Sequence, residues 1–234
     1  GGLRREFFDA ITLFCSNSDY GLFKYNEDCH AFSPDPNSVA EDMHLEYYNL
    51  VGNLIGNALL NGELVNIRFT PSVYDFMAGR EVQFHHLITE HPELGMTLKK
   101  LRDYDEEALD SLESIFAVDV NILGETKNVE LETGGSAIQV TRSNLEDYLT
   151  SYSRFILINQ VRVQLEALVA GINQIVGNIK PLASDFDSHE MAEIFCGQSI
   201  IDVDTLKKRT SYDSCSPATK EIQWLWEYLE TASE

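Results

Sequence analysis

The stretch NLEDYLTSYSRFILINQVRVQLEALVAGINQIVG, from Asn144 to Gly177, repeats apolar residues at helical spacing over 34 positions, and it restricts the fold more than any other feature of the chain. Ser143 and Glu146 stand at its start with the spacing of a capping box, in which the hydroxyl takes one free amide of the first turn and the carboxylate reaches back to another. One long helix is expected here, and most of the remaining chain is helical by the same criteria. Ser38 with Glu41 predicts a helix running through AEDMHLEYYNLVGNLIGNALLN to Gly62, a natural left-handed stop. Within it Gly52 and Gly56 lie four apart, which suits close approach of a neighbouring helix. Thr70, Pro71 and Gly79 bracket a short helix. Asp187 with Glu190 predicts one that ends at Cys196 and Gly197, and Ser216 followed by Pro217 predicts the start of the last, through Trp224 and Trp226. Leu3, Phe7, Ile11 and Phe14 form a stripe that makes residues 3–15 an amphipathic helix, and HPELGMTLKKLRDY places Leu94, Leu98 and Leu101 on one face.

The period changes in two places. YGLFKY and the residues around Ala31 and Phe32 are short strands closed off by SPDPNS. SIFAVDV, KNVELET and AIQVT also read as strands, the last two joined across GGS as a hairpin. The expected fold is α+β and predominantly helical. A large helical subdomain takes residues 1–80 and 153–234, and a smaller α/β subdomain, residues 81–152, is inserted into it.

Seventeen basic against 38 acidic residues give a net charge of −21, which repels phosphate and argues against nucleic acid or anionic lipid as a partner. A basic protein partner would be steered in. The acids concentrate in DYDEEALDSLE, Asp103 to Glu113, which holds six acids and no base. Apolar runs fall short of the roughly 20 residues of a membrane span, and no signal peptide opens the chain. Four scattered cysteines with no CxxC pair indicate reduced thiols, hence a cytoplasmic or nuclear protein. The six histidines do not complete a tetrahedral set, so no metal is expected. No phosphate-binding glycine loop or nucleophile elbow is present. A cysteine hydrolase stays open, because its histidine and orienting partner are adjacent in space and not in sequence. Cys196 is the cysteine to weigh. It sits in the last turn of a capped helix with Glu190, Glu193 and Asp202 nearby, surroundings that keep a thiol protonated. The start at GGLRREFF, without methionine, reads as a piece of something larger.

An ordered series of short segments goes further. GGLRREFF, YGLFKY, DPNS, YYNLVGNLIGNALLNGELVNIRFTPSVYDFMAG, HPELGMTLKKLRDYD, LGETKNVELETGGSAIQVT, CGQSIIDVDTLKK and IQWLWEYLE together resemble the amino-terminal lobe of the HECT-type ubiquitin ligase domain. The resemblance covers essentially the whole chain, and the GGSAIQVT and DTLKKRTSY pieces are similar to the branch with IQ motifs upstream. It implies that ubiquitin arrives as a thioester on a ubiquitin-conjugating enzyme, passes to a cysteine of a carboxy-terminal lobe, and then reaches a substrate lysine. The chain stops at WEYLETASE, before the segment that carries that cysteine, so it resembles the docking half and is expected to transfer nothing by itself.

The resemblance also implies a groove for the conjugating enzyme, lined by Leu94, Thr97, Leu98, Tyr104, Leu112, Ser114, Tyr148 and Tyr152. Tyr148 stands where some members carry phenylalanine. The helical spacings agree, since Leu94, Thr97 and Leu98 share one face and Tyr148 and Tyr152 lie four apart on another. Implied partners are the conjugating enzyme, ubiquitin, and protein substrates held by regions outside this chain; no cofactor is implied. A second, non-covalent ubiquitin contact near Cys29 to Phe32 is not carried over, because the spacing at SPDPNS departs by one residue. The alternative is a non-catalytic helical protein-interaction scaffold that shares the fold.

Overall fold

The computed structural model describes residues 2–198 and 203–232. Ser199–Asp202 of the CGQSIIDVD segment lie outside the described residues. In chain order the elements are α1 (Gly2–Cys15), β1 (Phe23–Asn26), β2 (Ala31–Pro34), α2 (His44–Asn61), α3 (Pro71–Ala78), α4 (Phe84–Glu90), α5 (Pro92–Lys99) and α6 (Glu106–Ser111). There follow β3 (Ala117–Ile122), β4 (Glu125–Glu130), α7 (Leu145–Leu157), α8 (Arg162–Val176), α9 (Lys180–Ser184), α10 (Ser188–Cys196), α11 (Val203–Arg209) and α12 (Lys220–Ala232). Gly1–Cys196 form one compact unit and Gly197–Glu234 a second. The architecture is mostly helical α+β, with two two-stranded antiparallel sheets, β1–β2 and β3–β4.

The axis of the first unit is the pair α2 and α8. Gly52 and Gly171 face each other across it so closely that a methyl on Gly52 would collide with the Leu168 carbonyl, and one on Gly171 with the Asn49 carbonyl. Tyr48, Ile55, Leu165, Leu168 and Ile172 are fully buried there. The close approach read from the glycine spacing in α2 is therefore present.

The expected 34-residue helix is two helices. Ile158 leaves helical geometry (φ −125°, ψ −55°), a 3-10 turn follows over Asn159–Val161, and α8 begins afresh. The break lets Phe155, Leu157, Ile158 and Val161 all bury, whereas a straight helix would turn part of that run outward. Taken as one stretch, Leu145–Val176 has the length and composition of a membrane span, with mean hydropathy 1.4 over 18 residues, contrary to the sequence expectation. Half of that window is buried inside the fold.

Two expected capping boxes do not form, because their members are taken elsewhere. Ser38 lies in a 3-10 turn, Pro36–Ala40, started by Asp35, whose carboxylate accepts from the Asn37 amide at 2.8 Å. The Ser38 hydroxyl accepts from buried Gln164 at 3.3 Å, and α2 starts only at His44. Glu146 pairs with Arg102, and the Ser143 hydroxyl bonds Thr141 at 2.9 Å. The Asp187 and Glu190 box forms in both directions, at 2.8 and 2.9 Å. The last helix begins at Lys220, three residues after Pro217; Ser216 is in a preceding turn, its amide donating to Thr219 Oγ1 at 3.0 Å.

The hairpin is also paired differently. β3 joins β4 through Leu123 (φ 54°) and Gly124 (φ 83°), a two-residue turn with both residues left-handed. GGS instead forms a turn whose amides at Gly134 and Ser136 bond the Glu130 carboxylate, and AIQVT contributes only a single bridge, Ile115 to Gln139. In α1 the buried residues are Phe8 and Thr12, while Leu3, Phe7 and Phe14 of the expected stripe are exposed. The Thr12 hydroxyl explains its own burial: it donates to the Phe8 carbonyl and accepts from the Asn66 amide.

Candidate functional site

α4 and α5 meet at an elbow. His91 (φ −138°, ψ 72°) closes one helix and opens the other, and Pro92 fixes the first turn of α5 without needing a donor. Gly95 lies directly on the backbone of Ile88, so the two helices touch. On α5, Leu98 is buried, Leu94 half-buried and Thr97 exposed, its hydroxyl returned to the Glu93 carbonyl at 2.8 Å.

Beyond α5 the chain makes a 3-10 turn, Lys100–Asp103, and Tyr104 follows in extended geometry, 40% exposed. Arg102 holds this turn against α7. Its guanidinium bonds Glu146 twice, at 2.8 Å each, and stacks 4.9 Å from the centre of the Phe84 ring. Arg142 adds a bond to the Arg102 carbonyl at 2.6 Å.

On α7, Tyr148 and Tyr152 are in ring contact, with centroids 5.8 Å apart, and Tyr148 also meets Phe116 edge to face at 5.3 Å. Burial, with a smaller contribution from Tyr152, pushes the Tyr148 hydroxyl up to about 12. Burial raises Tyr152 as well. Among the described residues the buried side-chain atoms without a partner are Arg80 Nη2 and Gln164 Oε1, so the Tyr148 hydroxyl reaches the solvent edge. Leu98 and Tyr148 belong to the continuous core, with Leu94 and Tyr152 packed against it.

The acidic run folds as α6. Asp105 caps it by accepting from the Ala108 amide at 2.9 Å, Leu109 points inward, and Asp103, Asp105, Glu106, Glu107, Asp110 and Glu113 are all exposed. Leu112 follows α6 on the surface, and half-buried Ser114 accepts the Val140 amide at 2.8 Å. Of the eight expected groove residues, the structure thus joins Tyr148 and Tyr152 directly. It places Leu94, Thr97 and Leu98 on α5, and it sets Leu112 and Ser114 on the segment leading into β3. Phe116, Arg102, Arg142 and Glu146 were missed by sequence reasoning. Phe116 carried a strand signal only, and Arg102 and Glu146 are 44 positions apart with no local mark of their pairing.

Burial favours the protonated thiol at three of the cysteines, Cys15, Cys29 and Cys196. Burial drives Cys196 up to about 11, and its Sγ donates to the Ile67 carbonyl at 3.2 Å. Burial, then Glu90 and Asp28, drives Cys29 to about 11, and burial raises Cys15.

A family model described as "HECT-domain (ubiquitin-transferase)" matches residues 9–234. The chain belongs to the HECT family. Among curated proteins it is 32% identical to the E3 ubiquitin-protein ligase HACE1 of Danio rerio, over all of this chain and 26% of that protein. It is 31% identical to HACE1 of Homo sapiens, over all of this chain and 25% of that protein, and 32% identical to the E3 ubiquitin-protein ligase UPL1 of Arabidopsis thaliana, where it spans 6%. The chain therefore covers between 6% and 26% of the length of these HECT relatives.

Proposed function

We propose that this HECT chain is the lobe that receives a ubiquitin-charged conjugating enzyme. The carrying observation is the Tyr148 and Tyr152 ring pair on α7, the helix whose Glu146 is clamped by Arg102 of the turn after α5. In this reading buried Leu98 and Tyr148 would be the floor of the docking face, and the more exposed Leu94, Thr97, Tyr104, Leu112 and Tyr152, with Ser114, its rim. The same reading has the face take one aromatic side chain from a partner loop, an anchor whose removal costs about 2 kcal/mol or more. In this reading ubiquitin then passes by thioester exchange to a cysteine outside these 234 residues and on to a substrate lysine. The chain alone transfers nothing. The reading places the protein in the cytoplasm or nucleus, with substrates chosen by other regions.

Calorimetric titration of a panel of conjugating enzymes against the chain and its Tyr152→Ala and Thr97→Glu variants tests this. At least one enzyme should bind, and both variants should weaken it tenfold or more. The alternative, a helical interaction scaffold, is favoured by how deeply Leu98 and Tyr148 are packed, at 9% and 7% exposure. Binding to none of the panel, or binding indifferent to both variants, selects it.

A further inference from the structure

Glu90 closes α4 and is 2% exposed. Both its oxygens are taken by one residue: Oε1 accepts the Ser72 amide at 2.6 Å and Oε2 the Ser72 hydroxyl at 2.9 Å. The carboxylate thus caps α3 from a different helix, while the Thr70 hydroxyl, in the capping position by sequence, bonds Ser72 Oγ at 3.2 Å. The backbone of Glu90 is tied too, its carbonyl accepting Asn26 Nδ2 from β1 at 2.6 Å.

Beside the carboxylate lies a cavity of about 10 Å³, the size of a single water, lined among others by Lys24, Ser33, Ser72, Glu90, His91 and Leu157. The chain passes this point twice, at Glu90–His91 on the way into the segment 92–152 and at Ile156–Val161 on the way out. Backbone regularity breaks at each passage, at His91 and at Ile158.

We propose that Glu90 is the pin of a hinge between this segment and the rest of the first unit, and that the proton on its carboxylate sets how firmly the α4–α5 elbow is held. The proposal does not rest on the docking reading. Burial disfavours the charge, while the amide at the start of α3 and the Ser72 hydroxyl favour it. The balance leaves Glu90 raised to about 7, with burial the largest cause. Facing it are Lys24 on β1, Asp28 and Cys29 in the turn after β1, Thr70, Ser72 and Asp75 around the start of α3, and His91. Ile156, Leu157 and Val161 contribute only apolar surface. Burial moves His91 down and Cys29 up to about 11, so among these shifted groups Glu90 is the one brought toward neutrality.

The test follows amide shifts and hydrogen exchange of the 234-residue chain by NMR from about pH 5.5 to about pH 8.5, in wild type, Glu90→Gln and Ser72→Ala. The Ser72 amide and the amides of residues 88–94 should titrate together with a midpoint near 7 in wild type and not in Glu90→Gln. Corrected for intrinsic base catalysis, exchange in the elbow should quicken by about tenfold as pH rises from about 5.5 toward that midpoint and level off above it. Glu90→Gln keeps the acceptor and the shape, so a merely structural role predicts no change in the pH profile. The same titration in Glu90→Gln, or a wild-type elbow insensitive to pH, overturns the proposal. Should either variant fail to fold, the wild-type profile with the Glu90 carboxyl carbon followed directly decides it.

Discussion

Arg102 and Glu146 meet through two parallel bonds of 2.8 Å, Nε to Oε1 and Nη2 to Oε2, across 44 positions of sequence. The bidentate form fixes the angle between the turn after α5 and the first turn of α7, which a lysine cannot reproduce. Both side chains are substantially exposed, so the pair adds under about 1 kcal/mol to stability. Arg102→Lys should therefore leave the unfolding midpoint nearly unchanged and yet weaken the proposed conjugating-enzyme binding several-fold, by letting Tyr104 move. Equal losses in denaturant melts and in titrations would count against this separation.

Tyr148 contrasts its ring with its hydroxyl. The ring is packed between Phe116 and Tyr152, and Tyr148→Ala should cost about 3 kcal/mol or more. The hydroxyl ends at the solvent edge, so Tyr148→Phe should change stability by about 0.5 kcal/mol or less. Chemical denaturation of the two variants checks both figures.

Glu90 makes a signed prediction for stability. Its folded pKa, about 7, stands above the ordinary carboxyl value of 4.5. The native state therefore keeps a proton that the unfolded chain has lost, and the carboxyl's contribution falls as pH rises from about 4.5 to about 7, then stays flat. The full swing is of order 3 kcal/mol. The difference in unfolding free energy between wild type and Glu90→Gln should drift by that order across this window, as read from urea melts at several pH values. A constant difference would contradict it.

How far the sequence could be read depended on where the partners lay. The Asp187 and Glu190 box was legible because both members serve the same helix end. Ser38 and Glu146 have equally good local spacing, but Gln164 and Arg102, 126 and 44 positions away, compete for their side chains. The helices around Gly52 and Asn144 were visible as apolar periods, yet the break at Ile158 is a packing decision made by residues on other helices. The hairpin went to Leu123–Gly124 because that is the shorter, tighter turn, while GGS is engaged by Glu130. Around the proposed docking face, α5 and the contact of Tyr148 with Tyr152 were legible as helical spacing, whereas the pairing of Arg102 with Glu146, 44 positions apart, left no local trace.

The contact of α2 and α8 leaves no room for a side chain. At Gly52 and Gly171 an added methyl meets backbone oxygen on the other helix, and backbone cannot yield as a flexible side chain can. Gly171→Ala should lower stability by about 3 kcal/mol, the upper end for overpacking, despite the better helix propensity of alanine. Gly62→Ala has open space around it and suffers only from its positive φ of 65°, so its cost should be about 1 kcal/mol. Thermal melts that ranked the two the other way would refute the close approach.

The acids of α6 and its flanks all face solvent, with no base among them. If a partner with a basic face docks beside them, attraction acts mainly before contact and shows in the association rate. That rate should fall by about tenfold between low salt and about 0.5 M salt, where the Debye length shrinks to a few ångströms, with dissociation little changed. Replacing Asp105, Glu106 and Glu107 by their amides should flatten the dependence and leave the dissociation rate unchanged. Stopped-flow association of a binding conjugating enzyme measures both slopes, and parallel slopes for wild type and the triple variant would show that α6 does not steer.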